Sequence, residues 1–243
     1  MDIDISGLVL SVVVPVYNEA KLIETVLRRV LASPVEKKEV IVINDGSKDS
    51  TAEVLARLQQ ELSLRVITHP TNRGKGAAVR SGFQAAAGDI VIIQDADLEY
   101  DPGDYPTLMR PILEGRAEVV LGSRFALHEP RFFTPQGEPF FSHYIGNKLI
   151  IWLTNALYGF HATDYEGCYK AFTRQVVQDT PVKANGFEFD NELICKLLRR
   201  RLKIVEVPIH YAPRSYKEGK KIRWQDGAQM VWAILKWRVM PFS

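Results

Sequence analysis

The sequence of 243 residues is poor in cysteine, with only Cys168 and Cys195. A disulfide framework and a four-thiolate zinc site both need more cysteines, so the count excludes both kinds of scaffold. It is typical of a reducing compartment, and each cysteine is most simply a small apolar residue. The five histidines have no metal-ligand spacing, and we predict no role for them.

The sequence also lacks a long hydrophobic run. No stretch reaches the roughly 18 apolar residues that a membrane-spanning helix needs. Residues 1–4 contain two aspartates and no basic residue, whereas a secretory signal begins with positive charge. We therefore expect a cytoplasmic protein without a membrane-spanning helix.

Two glycine-rich nucleotide-binding signatures are absent. The chain has no Gly-x-x-x-x-Gly-Lys-Ser/Thr phosphate loop, and no Gly-x-Gly-x-x-Gly follows its first predicted strand. The first absence excludes a phosphate-loop site, and the second counts against a dinucleotide-dependent oxidoreductase.

The net charge of +2 conceals an uneven distribution. Residues 1–195 hold 19 Lys and Arg against 26 Asp and Glu, a net charge of −7, whereas residues 196–223 hold 10 against 2, a net charge of +8. A basic segment attracts an anionic partner such as a phosphate or a lipid headgroup layer, or else it is a solvated surface. Because the body is acidic, we predict no nucleic-acid partner.

Hydrophobic patterning in the first half alternates between strand and helix. Continuous apolar runs predict strands at 8–14, 39–43, 64–68, 89–94 and 118–122. Helices are predicted at 19–32, from 50 onward behind a Ser50–Glu53 capping box, at 75–87 and at 103–114. This alternation predicts an α/β fold with an open, mostly parallel sheet, whose ligands bind beyond the carboxyl ends of the strands.

The second half is less regular. Residues 126–142 are rich in proline and phenylalanine and predict a long loop of the kind that often covers a binding site. Further predictions are helices at 143–160, 185–200 and 224–238, a strand at 203–209 and a basic loop at 211–223.

Polar motifs follow three of the predicted strands. Residues 15–19 end the first strand, residues 44–49 end the second, and Asp95-Ala96-Asp97-Leu98-Glu99 ends the fourth. An Asp-x-Asp turn at a strand end presents carboxylates to the ligand crevice, and oxygen ligands suit Mg²⁺ or Mn²⁺. An acidic turn without any ligand is the alternative.

A fourth motif, at residues 69–76, reads His-Pro-x-Asn-x-Gly-Lys-Gly. Its glycines allow close backbone approach, the start of the following helix favours anions, and Lys75 adds a positive charge. The alternative is a simple turn that starts a helix.

Together these motifs resemble those of the inverting glycosyltransferases of family 2, which have the GT-A fold. The similarity over residues 8–125 rests on Val13-Val14-Pro15-Val16-Tyr17-Asn18-Glu19, Asp45-Gly46-Ser47-x-Asp49, Asn72-x-Gly74-Lys75-Gly76, Asp95-Ala96-Asp97 and Gly122-Ser123-Arg124. Residues 164–172, 206–209 and 214–221 are similar to the polyprenyl-phosphate sugar transferases, the dolichyl-phosphate mannose and bactoprenol glucose synthases. Asn44, Glu99 and residues 166–168 depart from the usual pattern, which leaves the sugar and the acceptor open.

The resemblance implies a nucleotide-sugar donor, UDP- or GDP-hexose, a polyprenyl phosphate acceptor, and Mg²⁺ or Mn²⁺. It implies that residues 1–125 form the donor-binding half of the domain and residues 126–243 the acceptor-binding part. The implied donor-binding residues are Pro15, Tyr17, Glu19, Asp45, Lys75, Asp95 and Ala96. The implied metal ligands are Asp95, Asp97 and Glu99.

Three residues are predicted at the reaction itself: Asp97, Arg124 and Glu166. Arg124 can grip a phosphate through its rigid fork, or it forms a surface salt bridge. Glu166 is a general base or an acceptor-orienting group for a hydroxyl acceptor, or it caps a turn. The candidates for the acceptor phosphate are Arg131, Arg214, Lys220 and Lys221, and a solvated basic loop is the alternative for each.

Two predicted helices also combine tryptophan, aliphatic residues and cations, at 148–158 and 230–238. Such helices can lie in a bilayer interface, although aromatic-rich helices more often form core. We expect peripheral contact with the cytoplasmic membrane face.

The sequence therefore supports three hypotheses. The first is metal-dependent transfer of glucose or mannose to a polyprenyl phosphate, whose second pKa of about 6 leaves it ionised at neutral pH. The second keeps the donor and uses a soluble or polysaccharide hydroxyl. The third is a nucleotide-sugar binder without activity.

Overall fold

Strands and helices alternate along the computed structural model, which describes residues 8–126, 141–212 and 224–242. Its strands are β1 (Leu10–Val16), β2 (Lys38–Asn44), β3 (Arg65–Thr68), β4 (Ile90–Ile93), β5 (Val119–Ser123), β6 (Lys170–Thr173) and β7 (Ile204–Pro208). Its helices are α1 (Ile23–Leu31), α2 (Thr51–Glu61), α3 (Lys75–Ala85), α4 (Tyr105–Leu113), α5 (Phe141–Tyr158), α6 (Arg174–Gln178), α7 (Phe189–Arg199) and α8 (Trp224–Val239). A short 3₁₀ turn at Pro102–Asp104 precedes α4.

The strands form one sheet in the order β3-β2-β1-β4-β6-β5-β7. The pairs β1–β2, β1–β4, β2–β3 and β5–β7 are parallel, which confirms the predicted mostly parallel sheet. The chain runs from β1 outward to β3 and then returns to β4 on the other side of β1. The order therefore reverses at β1, and such a reversal opens a crevice at the carboxyl ends of the flanking strands.

Strand β6 is the main departure from the predicted sheet. It is antiparallel to both β4 and β5 and separates them. Its sequence, Lys-Ala-Phe-Thr, does not have the pattern of a buried strand because Lys170 is charged. Lys170 is nevertheless 1% exposed, since Asp190 of α7 pairs with it.

The loops after β1 and β2 hold each other, and the helices that follow them differ from the prediction in one start and one cap. The backbone N–H of Asn18 donates to Ser47 Oγ at 3.0 Å, and that of Glu19 donates to Thr51 Oγ1 at 3.0 Å. Helix α1 begins at Ile23 rather than at 19, although the Glu19 carbonyl already accepts the backbone N–H groups of Leu22 and Ile23 at 3.0 Å. The Ser50 side chain makes no capping hydrogen bond, so the predicted capping box was wrong.

Helices α5, α7 and α8 form a second layer beyond the main core. Cys195 of α7 is buried there between α5 and α8, in a cluster with Ile150, Met230, Ala233, Ile234 and Trp237. Cys168 is buried in the main core, so both cysteines occupy the apolar positions predicted for them. No helix in the described part of the chain is long and apolar enough to cross a membrane.

Gly82 allows α3 to lie directly on β1, and this contact yields a test of the packing. A Cβ at Gly82 would overlap Val13 Cγ1, whereas a Cβ at Gly146 in α5 meets nothing within 4 Å. We expect Gly82→Ala to destabilise the protein by about 1–3 kcal/mol through overpacking, although alanine is the better helix former.

Urea unfolding measures the effect, and Gly146→Ala is the matched helical control. It should be neutral or stabilise by up to about 1 kcal/mol. Equal behaviour of the two variants would contradict this packing.

Candidate active site

A cavity of about 510 Å³ opens at the carboxyl ends of β1 and β4. The side chains that line it come from loops far apart in the chain. Every residue of the predicted donor-binding, metal and catalytic sets lines it, namely Pro15, Tyr17, Glu19, Asp45, Lys75, Asp95, Ala96, Asp97, Glu99, Arg124 and Glu166. The predicted acceptor-phosphate residues Arg131, Arg214, Lys220 and Lys221 lie outside the described residues.

Lys75, the first residue of α3, pairs with Asp95 at the end of β4. Its Nζ lies 2.9 Å from Asp95 Oδ1 and 3.0 Å from Oδ2. Burial opposes the charge on Lys75, but the charge of Asp95 outweighs it and raises the pKa of Lys75 well above its usual value. Burial likewise opposes ionisation of Asp95, and Lys75 overcomes it, so the pKa of Asp95 is lowered. Both side chains are therefore charged at neutral pH.

The acidic turn after β4 provides further carboxylates. Asp97 Oδ1 accepts the backbone N–H of Glu99 at 3.1 Å, and Glu99 Oε2 accepts the hydroxyl of Tyr211 at 3.1 Å. Among the described residues, no group of three or more His, Cys, Asp or Glu side chains is arranged to hold a metal ion. Carboxylates on a cavity wall still fit a cation that takes its other ligands from substrate phosphates and water, as Mg²⁺ commonly does.

The side chain of Asp45 holds the motif at 69–76 in place. One carboxylate oxygen lies 2.6 Å from His69 Nδ1, and the other accepts the backbone N–H of Gly74 at 2.8 Å. His69 Nε2 in turn lies 2.9 Å from Ser81 Oγ. His69, for which we predicted no role, therefore helps to hold the loop that carries Lys75.

The glycines of this motif serve packing rather than anion binding. Gly74 has a φ of +97°, and a Cβ there would overlap the Asn185 carbonyl oxygen. The backbone N–H groups of Gly76 and Ala77 both donate to that same oxygen, at 2.8 and 3.3 Å. The Asn185 carbonyl oxygen therefore occupies the backbone N–H groups at the start of α3, so the expected anion site at this helix start was wrong. In the first turn of α3, only the Lys75 side chain supplies charge to the cavity.

Arg124, at the end of β5, forms a buried bidentate pair with Asp164. Its Nε lies 2.7 Å from Asp164 Oδ2, and its Nη2 lies 2.9 Å from Oδ1. Burial opposes the charge of each partner and the opposite charge outweighs it, so the pKa of Arg124 is raised and the pKa of Asp164 is lowered. The guanidinium also lies 5.2 Å from the ring centre of Tyr211. Arg124 lines the cavity, and its pair with Asp164 is buried rather than a surface salt bridge.

Glu166 is a buried carboxyl whose side chain accepts a hydrogen bond from Asn191 Nδ2 at 2.8 Å. Burial raises the pKa of Glu166 to about 7, and the charge of nearby Asp190 adds to the effect. Its side chain does not cap the turn, because Asp164 Oδ1 accepts the backbone N–H groups of Glu166 and Gly167. Glu166 therefore exchanges a proton near neutral pH within the cavity.

The sequence analysis missed Asp190, which lines the cavity from the first turn of α7. Asp190 Oδ1 lies 2.8 Å from Lys170 Nζ. A weak signal was present, since Glu188 and Asp190 stand at the start of a predicted helix. Asp164 and Lys170 were within a quoted motif but had no role, because their pairing with Arg124 and Asp190 cannot be derived from local pattern.

Comparison with known proteins identifies related sequences. The family model described as Glycosyl transferase family 2 matches residues 11–180. Undecaprenyl-phosphate 4-deoxy-4-formamido-L-arabinose transferase of Salmonella paratyphi A is 30% identical over 215 residues, covering 86% of this chain and 62% of that protein. The low-salt glycan biosynthesis hexosyltransferase Agl6 of Haloferax volcanii is 30% identical over 209 residues, covering 85% of this chain and 48% of that protein. The chain thus spans less than two thirds of the length of these relatives.

Solved structures share the whole described fold. Glucosyl-3-phosphoglycerate synthase of Mycobacterium tuberculosis, in complex with Mn²⁺, UDP and phosphoglyceric acid, gives a TM-score of 0.71 at 22% identity, covering 98% of this chain and 81% of that one. The same enzyme with Mn²⁺, UDP-glucose and phosphoglyceric acid gives a TM-score of 0.70 and covers 98% of this chain and 82% of that one. This likeness confirms the predicted GT-A fold.

The Lys75–Asp95 pair predicts a pH-dependent loss of stability on substitution. Lys75→Met leaves the Asp95 carboxylate without its cation, and because each side chain is one fifth exposed we expect a loss of about 2 kcal/mol at pH 7. The loss should shrink as the pH falls toward about 4, because burial raises the pKa of Asp95 once its cation is gone and protonation then removes the unpaired charge.

A double-mutant cycle with Asp95→Asn, followed by urea unfolding, measures the coupling. The double variant should lose less stability than the sum of the single losses. Strict additivity would show that the two charges do not interact.

Replacing Glu166 should raise the folding stability rather than lower it, by an amount that depends on pH. Its raised pKa means that the folded state favours the neutral carboxyl, so its contribution to stability is complete below pH 4.5 and is lost as the pH rises through 7. Glu166→Gln should therefore gain stability relative to the parent between pH 5 and 8, approaching about 3 kcal/mol. Urea unfolding across this range measures the gain.

Glu53→Gln on the exposed face of α2 is the matched control and should follow the parent at every pH. Parallel pH profiles for the parent and Glu166→Gln would mean that Glu166 is ionised throughout.

Proposed function

The chain belongs to glycosyl transferase family 2, and we propose that it transfers a hexose, with inversion, from a nucleotide-diphosphate sugar to a polyprenyl phosphate at the cytoplasmic face of a membrane. The observation that carries the proposal is the convergence of the predicted donor, metal and catalytic residues on one cavity. Two relatives support it at 30% identity, one named an undecaprenyl-phosphate sugar transferase and the other a hexosyltransferase.

The donor occupies the β1–β2 side of the cavity. Pro15, Tyr17 and Glu19 contact the nucleotide, and Asp45 contacts it directly or through the loop that it holds. The solved structures of the same fold that contain UDP and UDP-glucose favour a uridine nucleotide. Lys75 supplies positive charge near the diphosphate while Asp95 fixes its position.

Asp97 would hold Mg²⁺ or Mn²⁺ on the donor diphosphate, with Asp95 and Glu99 as the further candidates; since the three do not form one ligand group in the described residues, substrate phosphates and water would supply most of the ligands. When bound, such an ion neutralises the charge that develops on the leaving nucleoside diphosphate. Because Asp95 is paired with Lys75, we expect Asp97 to be the more important ligand. The Mn²⁺ in the related solved structures supports this assignment.

Arg124 orients phosphate at the acceptor side. Asp164 engages its Nε and Nη2, so the guanidinium is held rigidly and its Nη1 is not part of that pair. A phosphate acceptor is already ionised near neutral pH, so it needs positioning rather than deprotonation. The basic residues Arg131, Arg214, Lys220 and Lys221 remain predictions for further contacts to this phosphate.

Glu166 favours a second candidate function, transfer to a hydroxyl acceptor. A buried carboxyl with a pKa of about 7 suits a general base, because it can accept a proton at neutral pH. The solved glucosyl-3-phosphoglycerate synthase that shares the fold was crystallised with phosphoglyceric acid, a soluble molecule with a hydroxyl.

A transfer assay tests the proposal. Labelled UDP- and GDP-hexoses are incubated with polyprenyl phosphate and Mg²⁺ or Mn²⁺, and label is counted in the lipid phase. Asp97→Asn should lower transfer at least about 100-fold, the scale for loss of one electrostatic group at a reacting centre. Asp101→Asn, outside the cavity, is the matched control and should retain parental activity.

The acceptor panel separates the two candidate functions. With a lipid phosphate as the acceptor, Glu166→Gln should keep transfer within about tenfold of the parent. With a hydroxyl acceptor, loss of the base should lower it by about 10² to 10⁴ while UDP binding stays unchanged. Absence of transfer from every donor to any prenyl phosphate would refute the first function.

A further inference from the structure

His69 is a buried histidine that connects two polar side chains behind the cavity wall. Its Nδ1 lies 2.6 Å from Asp45 Oδ1, and its Nε2 lies 2.9 Å from Ser81 Oγ in helix α3. His69 is 5% exposed and Asp45 is 3% exposed. Of these three side chains, only that of Asp45 lines the cavity. A change at His69 can therefore reach a bound ligand only through the Asp45 carboxylate.

The hydrogen-bond partners of the His69 ring assign its protons. A carboxylate only accepts hydrogen bonds, so Nδ1 carries a proton and donates it to Asp45. In the neutral ring Nε2 then has no proton and accepts from the hydroxyl of Ser81, which can rotate to donate. Ser81 therefore stabilises the tautomer in which His69 is a donor to Asp45.

The Asp45 carboxylate has room for one more donor. Its two oxygens together offer about four lone-pair sites. Among the described residues, three N–H groups reach them. His69 Nδ1 donates to Oδ1, the Gly74 backbone donates to Oδ2, and the Arg73 backbone is shared between both oxygens at 3.0 and 3.1 Å. The remaining site is available to a ligand in the cavity that Asp45 lines.

The surrounding backbone leaves this carboxylate little freedom to turn. The backbone N–H of His69 donates to the Asn44 carbonyl at 2.9 Å. Gly46 has a φ of +66°, and a Cβ there would overlap the backbone of Thr71, so the turn after β2 packs directly on the loop after β3. Because His69 and the Gly74 backbone hold opposite oxygens, the plane of the Asp45 carboxylate is fixed as well.

A fixed acceptor can select the base of a nucleotide. Uracil and cytosine have the same size, but uracil has an N–H at N3 where cytosine has an acceptor. A carboxylate held in one orientation can pair with the uracil N–H and meets a second acceptor in cytosine. A site built to bond an N–H group rejects an analogue without it, because its own buried polar group then stays unpaired.

We propose that His69 is a positioning residue that fixes Asp45 as the acceptor for a nucleobase N–H, so that the donor site selects uracil over cytosine. The inference rests on the proposed function in placing the nucleotide on the β1–β2 side of the cavity. Guanine also presents an N–H, at N1, so this acceptor excludes cytosine and does not by itself exclude guanine.

Titration calorimetry of the full chain with UDP and with CDP, without acceptor, tests the selection. The parent should bind UDP at least about tenfold more tightly than CDP, the scale of one hydrogen bond to a charged group. His69→Gln places its amide near the position of Nε2, so it keeps a partner for Ser81 and loses the donor to Asp45. This variant should bind UDP about tenfold more weakly and CDP within about twofold of the parent.

Two further variants separate positioning from packing. His69→Asn is the rescue variant, because its amide nitrogen can take the place of Nδ1, and it should keep the preference for UDP although it loses Ser81. His161→Gln, at an exposed histidine outside the cavity, is the matched control and should bind both nucleotides like the parent. A general loss of packing would weaken both nucleotides alike and lower the melting temperature.

The outcomes distinguish this inference from the proposed function. Equal affinity of the parent for UDP and CDP would overturn the inference, and so would a parental ratio in His69→Gln or an equal loss of the ratio in His69→Asn. Selective binding of UDP without transfer to any prenyl phosphate would refute the proposed function alone. Transfer by a parent that uses uridine and cytidine donors equally would refute the inference alone.

Discussion

Three ion pairs fix charges in and beside the cavity: the partly buried pair of Lys75 with Asp95, and the more deeply buried pairs of Arg124 with Asp164 and Lys170 with Asp190. An unpaired charge at such depth is costly, so each cation can stay there only with its carboxylate. The pairs also tie separate parts of the chain together, since their members come from different strands, helices and loops. Of the charged groups that line the cavity, Lys75, Asp95, Arg124 and Asp190 are positioned by this pairing.

This pairing explains why Glu166 behaves differently from the other carboxyls. Asp95 and Asp164 each contact a cation, which lowers their pKa values, whereas Glu166 accepts a bond from the neutral amide of Asn191. Burial and the charge of Asp190 then bring its pKa to about 7. The cavity thus combines fixed charges, which can stabilise a charged leaving group without reorganising, with a carboxyl that can change its protonation state.

Helices α5 and α8 of the second layer form part of the cavity wall. Asn147 of α5 and Met230 of α8 line the cavity, whereas other apolar side chains of these two helices are exposed. The loops after β1, β2 and β4 line the same cavity from the carboxyl ends of the strands.

Local sequence was sufficient to predict the strands β1 to β5 and β7 and the motifs at their ends. A buried strand and the polar turn after it are both encoded by neighbouring residues. It also placed the polar motifs after β1, β2 and β4 at one edge, since the carboxyl ends of parallel strands meet there, whereas Arg124 and Glu166 were chosen through the resemblance to a known family. The antiparallel strand β6, the support of Asp45 by His69, the blocked start of α3 and the role of Asp190 were decided by the tertiary structure. Each depends on a contact between segments distant in sequence, such as Lys170 with Asp190, and burial and pairing across such contacts leave no local pattern.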